Sequence, residues 1–99
     1  MTVYLVGEFE VTNPAGLEPY RTAVNDTITK YGGRFIVRTG SRGAKKLLEG
    51  SPEPKTIVIV EFPDSSALDR WWNSPEYQRI LPIRLENCTG RVFTVEGVK

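Results

Sequence analysis

Apolar and polar residues alternate from Thr2 to Val11, which predicts a first strand. One face carries Val3, Leu5, Gly7, Phe9 and Val11; the other carries Tyr4, Val6, Glu8 and Glu10. The early part is apolar on both faces, so both are expected to be covered, and the later part turns acidic on one of them. The period then changes. Leu17, Tyr20, Val24, Ile28 and Tyr31 recur at helical spacing on one stripe. Glu18, Thr22, Asn25, Asp26 and Lys30 face away, with Asp26 and Lys30 placed as a supporting pair. Asn13-Pro14 supplies a cap and a first-turn proline, and Gly32-Gly33 supplies the stop.

A second strand is predicted over Arg34 to Thr39, with Phe35, Val37 and Thr39 on one face and Arg34, Ile36 and Arg38 on the other. Gly40 to Pro54 is a glycine- and proline-rich connection that Leu47 and Leu48 are expected to pin to the body. Lys55 to Phe62 is predicted as the third strand, and the unbroken apolar run within it is the mark of a central strand buried on both faces. If the connection is a hairpin, a symmetric register brings Arg34 near Glu61. Pro63 ends this strand and Asp64 or Ser65 caps a helix that carries Ala67, Leu68, Trp71 and Trp72 towards one side. Ser74-Pro75 restarts the helix, Tyr77, Ile80 and Leu81 continue inward, and Pro82 is expected to interrupt it. Arg91 to Glu96 reads as the last strand.

The order β-α-β-β-α-β predicts an α+β, ferredoxin-like arrangement: an antiparallel sheet with both helices on one face, in a single domain spanning residues 1–99. Tyr4, Val6 and part of the third strand would then be bare on the other face. The sheet of a second subunit is the expected cover, making a homodimer.

Composition narrows the chemistry. The chain has 99 residues, 39% of them hydrophobic and 25% charged, with a net charge of +1, values that suit a globular protein. So small a net charge gives no general attraction to nucleic acid or to an anionic membrane. There is no histidine, which removes the usual acid/base and the commonest metal ligand. Cys88 is the sole cysteine, so neither an internal disulfide nor a cysteine-held metal is available. No metal and no cofactor are expected. The chain runs from Met1 almost directly into a strand and has no apolar run of membrane-spanning length, so no signal peptide and a cytoplasmic location are expected. One charge asymmetry stands out. From Thr27 to Leu48 there is no acidic residue, while Lys30, Arg34, Arg38, Arg42, Lys45 and Lys46 are basic. Gly40-Ser41-Arg42-Gly43 within it lacks the spacing and ending of a phosphate loop.

Each candidate site residue carries two readings. Arg34 and Arg38 form either an anion clamp, since guanidinium forks match carboxylates, or ion pairs with Glu61, Glu8 or Glu10. Glu61 is the best-placed general base, if desolvation at the end of a central strand raises its pKa, or a structural partner of Arg34. Trp71, Trp72 and Tyr77 either wall a pocket for a flat ligand or fill the core. Tyr20 is core with its hydroxyl at a rim, and Asn73 and Ser74 are helix-cap residues. The function expected is the binding or transformation of a small polar or anionic metabolite, without a cofactor, in a pocket between sheet and helices. The alternative is a non-catalytic homodimeric assembly or regulatory module.

Specific words also accumulate: Tyr20, Gly32-Gly33-Arg34-Phe35, Leu48-Glu49-Gly50, Val58-Ile59-Val60-Glu61-Phe62-Pro63, Trp71-Trp72-Asn73-Ser74-Pro75-Glu76-Tyr77-Gln78 and the late Arg84. Together they resemble the small bacterial domain-of-unknown-function family numbered thirteen-thirty, over nearly the whole chain. The resemblance implies a ferredoxin-like protomer of the dimeric α/β-barrel superfamily, in which two sheets pack face to face. It supplies no activity. The wider superfamily includes cofactor-free monooxygenases, lactone isomerases and haem-degrading enzymes. The last generally hold iron through histidine, which this chain lacks.

Overall fold

The computed structural model describes residues 1–40, 45–53 and 55–98. Its elements are β1 (Val3–Val11), α1 (Pro14–Lys30), β2 (Arg34–Thr39), β3 (Thr56–Phe62), α2 (Ser65–Trp72), α3 (Pro75–Asn87) and β4 (Cys88–Glu96). The sheet is antiparallel, in the order β2-β3-β1-β4. This is the ferredoxin-like α+β arrangement that the element order predicts. The helices cover one sheet face, where Val3, Leu5, Val60 and Phe62 pack with Val24, Ile28, Ala67, Leu68, Trp71, Tyr77 and Ile80.

Local chemistry sets the boundaries. The Asn13 side chain accepts from Gly16 N at the start of α1, and Pro14 takes the first turn. Gly32, at φ 86°, lets the chain turn out of that helix. Asp64 caps α2 by accepting from Ala67 N. Ser74 caps α3 by accepting from Tyr77 N, and its buried hydroxyl donates to Trp71 O, which locks the bend between the two helices.

Four expectations change. Pro82 lies inside α3 and does not end it. A proline there removes one backbone bond at a cost of about 3 kcal/mol. Ile80 and Arg84 are buried on either side, and Asn87 O receives both Thr12 N and Asn13 N, so tertiary contacts hold the helix through the break. Strand β4 starts at Cys88 rather than Arg91, because Val11 to Phe9 template Cys88 to Gly90. Leu48 does not pin the long connection; it is 81% exposed, and Leu47 is exposed too. Lys30 pairs with Glu76 at 3.3 Å instead of with Asp26, tying the end of α1 to the start of α3. Arg42 and the greater part of the Gly40–Gly43 loop lie outside the described residues.

The sheet face away from the helices is informative. Tyr4, Val6, Ile57 and Ile59 are half-buried on the face away from the helices, and Phe93 and Val95 beside them are exposed. Three ion pairs lie on this side: Arg34–Glu61 at 3.1 Å, Lys55–Glu10 at 2.9 Å and Arg91–Glu8 at 3.0 Å. No helix among the described residues is long and apolar enough to cross a membrane.

Candidate functional site

Between the helices and the sheet lies a cavity of about 240 Å³. Its floor is the helix-facing side of the strands, including Leu5, Phe9, Thr56, Val58 and Val92; its roof is Leu17, Tyr20 and Val24 of α1 with Trp71, Trp72 and Tyr77. The aromatic side chains interlock. Tyr77 packs on Trp71 at 4.1 Å and on Trp72 at 5.4 Å between ring centroids, and Tyr20 meets Tyr77 edge-on at 6.2 Å. Trp71 is core as well as wall, since its indole N–H is satisfied by Thr27 Oγ1 at 3.0 Å.

Arg84 is the central charge. It is 8% exposed, and no carboxylate among the described residues lies within ion-pair distance of it. Its guanidinium stacks 5.0 Å from the Phe9 ring and 6.0 Å from the Tyr20 ring. Phe9 can lie there because Gly7 has no side chain: a Cβ at that position would stand 2.6 Å from the Phe9 ring. Arg84 Nη2 donates to Tyr77 Oη at 3.5 Å, and the Tyr20 and Tyr77 hydroxyls share a hydrogen bond of 3.0 Å. Burial opposes the Arg84 charge, but the Tyr77 and Tyr20 oxygens outweigh it, so its pKa is raised and it stays a guanidinium. Burial first, and then Tyr77, holds the Tyr20 phenol far above its ordinary pKa. Burial also pushes the Cys88 thiol up, against the opposing pull of Arg84.

The sequence-predicted residues separate into two groups. Arg38, Tyr20, Trp71, Trp72 and Tyr77 line the cavity; Arg34 and Glu61 do not. Arg34 and Glu61 face each other across β2 and β3 on the open side of the sheet, in the register that the hairpin predicts. Arg38 does not share the Arg34 face. The pairing with β3 slips by one residue between Phe35 and Val37, a bulge that turns Arg38 to the helix side opposite Val58. There it stacks 4.5 Å from the Phe35 ring and donates to Arg21 O at 3.1 Å. Strict alternation hides this inversion. Arg84 enters the sequence reading only as a word of the family resemblance. Its signal as a site residue is its spacing: it lies seven positions after Tyr77, on the stripe that Ile80 shares, so a cation stands on an apolar helix face. The expected break at Pro82 conceals that spacing.

One polar atom is left over. Thr56 Oγ1 is buried without a hydrogen-bond partner, on the cavity floor opposite Phe9 in the β1–β3 ladder. Among the described residues no cluster of acidic or cysteine side chains could hold a metal ion.

The family model for a domain of unknown function, DUF1330, matches residues 2–98. The chain belongs to that family. No functionally curated protein matches it in sequence. Among solved structures it is similar to the RPA0582 protein of unknown function from Rhodopseudomonas palustris, with a TM-score of 0.74 and 15% identity over 99% of this chain and 83% of that one. It is also similar to SnoaB, a cofactor-independent oxygenase from Streptomyces nogalater, with a TM-score of 0.69 and 18% identity over 99% and 94%. A third likeness is to an uncharacterized NIPSNAP domain protein from Burkholderia xenovorans, with a TM-score of 0.62 and 16% identity over 99% and 95%. At these identities the likeness is one of fold alone, the ferredoxin-like α+β arrangement.

Proposed function

We propose that this DUF1330 protein binds a small anionic metabolite, a flat carboxylate, in the cavity between sheet and helices. The observation that carries the reading is Arg84: a buried guanidinium with no carboxylate partner among the described residues, facing an aromatic-walled cavity. A buried charge left unpaired costs several kcal/mol, and a bound carboxylate would offset that cost. Tyr20 adds a second donor. If Tyr77 Oη accepts from Arg84 and donates to Tyr20, the Tyr20 proton is free to point at the same anion. A cavity of 150 Å³ holds a benzene ring, so about 240 Å³ leaves room for a ring with a carboxylate and small substituents.

The reading needs no cofactor. The fold likeness to a cofactor-independent oxygenase supports a cavity that handles a small molecule. Among the described residues no carboxylate lines the cavity, and burial raises the pKa of both the Tyr20 phenol and the Cys88 thiol that do. Such a site stabilises a ligand that arrives as an anion rather than one that must lose a proton to the protein.

We also infer a homodimer closed through the open sheet face, whose half-buried Tyr4, Val6, Ile57 and Ile59 and exposed Phe93 and Val95 form an apolar surface bordered by ion pairs. The alternative, an assembly module with no ligand, shares this face and differs only at the cavity. Titration with benzoate and phenylacetate, followed by tryptophan fluorescence and thermal unfolding, separates the two. Binding that Arg84→Met abolishes supports the cavity reading. Absence of binding across a panel of small carboxylates sinks it.

A further inference from the structure

Arg84 is not alone in the cavity. Among the described residues Arg38 and Arg21 also line it, and no acidic residue does. The three cations are not equivalent. Arg84 is buried, whereas Arg38 and Arg21 are exposed and so stand at the mouth. Arg84 rests on Phe9 of β1, and Arg38 rests on Phe35 of β2. Strand β3 runs between those two strands, and Phe9 lies opposite its Thr56 while Phe35 lies opposite its Val60, so the two anchors are two strand spacings and four residues apart, roughly 16 Å at the backbone.

The mouth group is held in place. The bulge turns Arg38 inward, the Phe35 ring supports its guanidinium, and one of its N–H groups is fixed on Arg21 O. A guanidinium held in this way loses little freedom when an anion docks. No carboxylate among the described residues lies within ion-pair distance of Arg38 or Arg21. Arg34, of the same type and four positions earlier, does have one. Most of the other side chains that line the cavity are apolar or aromatic, and the Thr56 hydroxyl stands on its floor opposite Phe9.

We propose that the ligand is a dicarboxylate with a flat, apolar middle: one carboxylate inside on Arg84 and a second at the mouth on Arg38 and Arg21. This deepens the binding reading above and rests on it. The unpartnered Thr56 Oγ1, on the floor opposite Phe9, is a hydrogen-bond site for a polar substituent of such a ligand. The excess of positive charge at the mouth also draws the dianion in, since a cleft lined by one sign of charge focuses the field.

The test compares phenylacetate with 1,4-phenylenediacetate by calorimetric titration at low salt. The dianion is expected to bind about tenfold tighter, the scale of one charge-assisted contact. Arg38→Gln and Arg21→Gln are each expected to reduce that ratio towards unity, the dianion losing more affinity than phenylacetate. Arg21 is exposed on α1, so its variant keeps the test decisive if Arg38→Gln disturbs the strand. Raising the salt should weaken the dianion more than the monoanion. Equal affinity of the two acids, or a dianion advantage that survives both substitutions, overturns the proposal and leaves the Arg84 site standing. Failure of both acids to bind overturns the proposal and the cavity reading together.

Discussion

Tyr77 Oη lies 3.0 Å from the hydroxyl of Tyr20 and 3.5 Å from Arg84 Nη2, so one buried phenol joins α1 to the last turn of α3. The contact makes a polar patch inside an otherwise apolar roof. It depends on α3 continuing through Pro82, because only an unbroken helix brings Tyr77 and Arg84 onto one face two turns apart.

A buried cation kept without a counter-charge costs stability, and that cost points to function. Arg84→Met keeps the aliphatic stem and removes the charge. We expect the unliganded protein to be as stable as wild type, or up to about 2 kcal/mol more stable, because apolar replacements of buried charges are commonly neutral or stabilising. Carboxylate binding should be lost in the same variant. Urea unfolding and ligand titration on one preparation check both halves. A variant that loses several kcal/mol would make Arg84 a structural residue.

Alkaline pH probes Tyr20. An unfolded chain releases this proton near pH 10.0, while the folded chain keeps it to a higher pH. Above pH 10 the native state therefore binds a proton that the unfolded state has lost, and stability falls as pH rises. Below pH 10 the contribution is fully present. The slope from this one group approaches about 1.4 kcal/mol per pH unit. Urea midpoints across this range, for wild type and Tyr20→Phe, should diverge above pH 10 and run parallel below it. Parallel behaviour throughout would place the Tyr20 hydroxyl in contact with water.

Arg34 and Glu61 serve as controls for the site. Their ion pair spans side chains 69% and 28% exposed, so it contributes at most about 1 kcal/mol. Arg34→Ala and Glu61→Gln are expected to leave carboxylate affinity unchanged, since neither residue lines the cavity. A large loss of affinity in a folded Glu61→Gln protein would restore this residue as part of the site.

The fold was largely legible because its signals are local. Asn13-Pro14, Gly32-Gly33, Pro63 and Ser74-Pro75 mark boundaries, and the apolar run through β3 marks an inner strand. The Arg34–Glu61 register followed from hairpin symmetry alone. The site was harder to read, for two physical reasons. The bulge at Ile36 inverts the parity of β2, and nothing in Phe35-Ile36-Val37 announces it, because β3 and the helices decide where the extra residue goes. Pro82 has the opposite effect: a local rule predicts a break, tertiary packing overrides it, and the Tyr77–Arg84 pairing is hidden as a result. Both errors displace arginines. Arg34 looks like a partner of Arg38 although they face opposite ways, and Arg84 looks like a residue beyond the helix.

The open sheet face gives the last prediction. Val95 is 44% exposed on the edge strand β4, so the protomer loses little when it is replaced. Its partner in the ladder is Tyr4, and Val6 pairs with both Phe93 and Ile59, which makes Val95 continuous with the apolar patch. Val95→Lys should therefore cost the isolated protomer less than about 1 kcal/mol. In a face-to-face dimer the same lysine, and its symmetry mate, would be buried between two sheets, at a cost of several kcal/mol for each uncompensated charge. The expected outcome is a dimeric mass for the wild type and a folded monomer for the variant, read by light scattering coupled to gel filtration. Cavity binding should persist in that monomer, because Tyr4, Val6, Ile57, Ile59, Phe93 and Val95 of the open face do not line the cavity. A variant that keeps the dimeric mass would show that the copies associate through some other surface, and one that loses the ligand together with the dimer would show that the partner's sheet shapes the cavity.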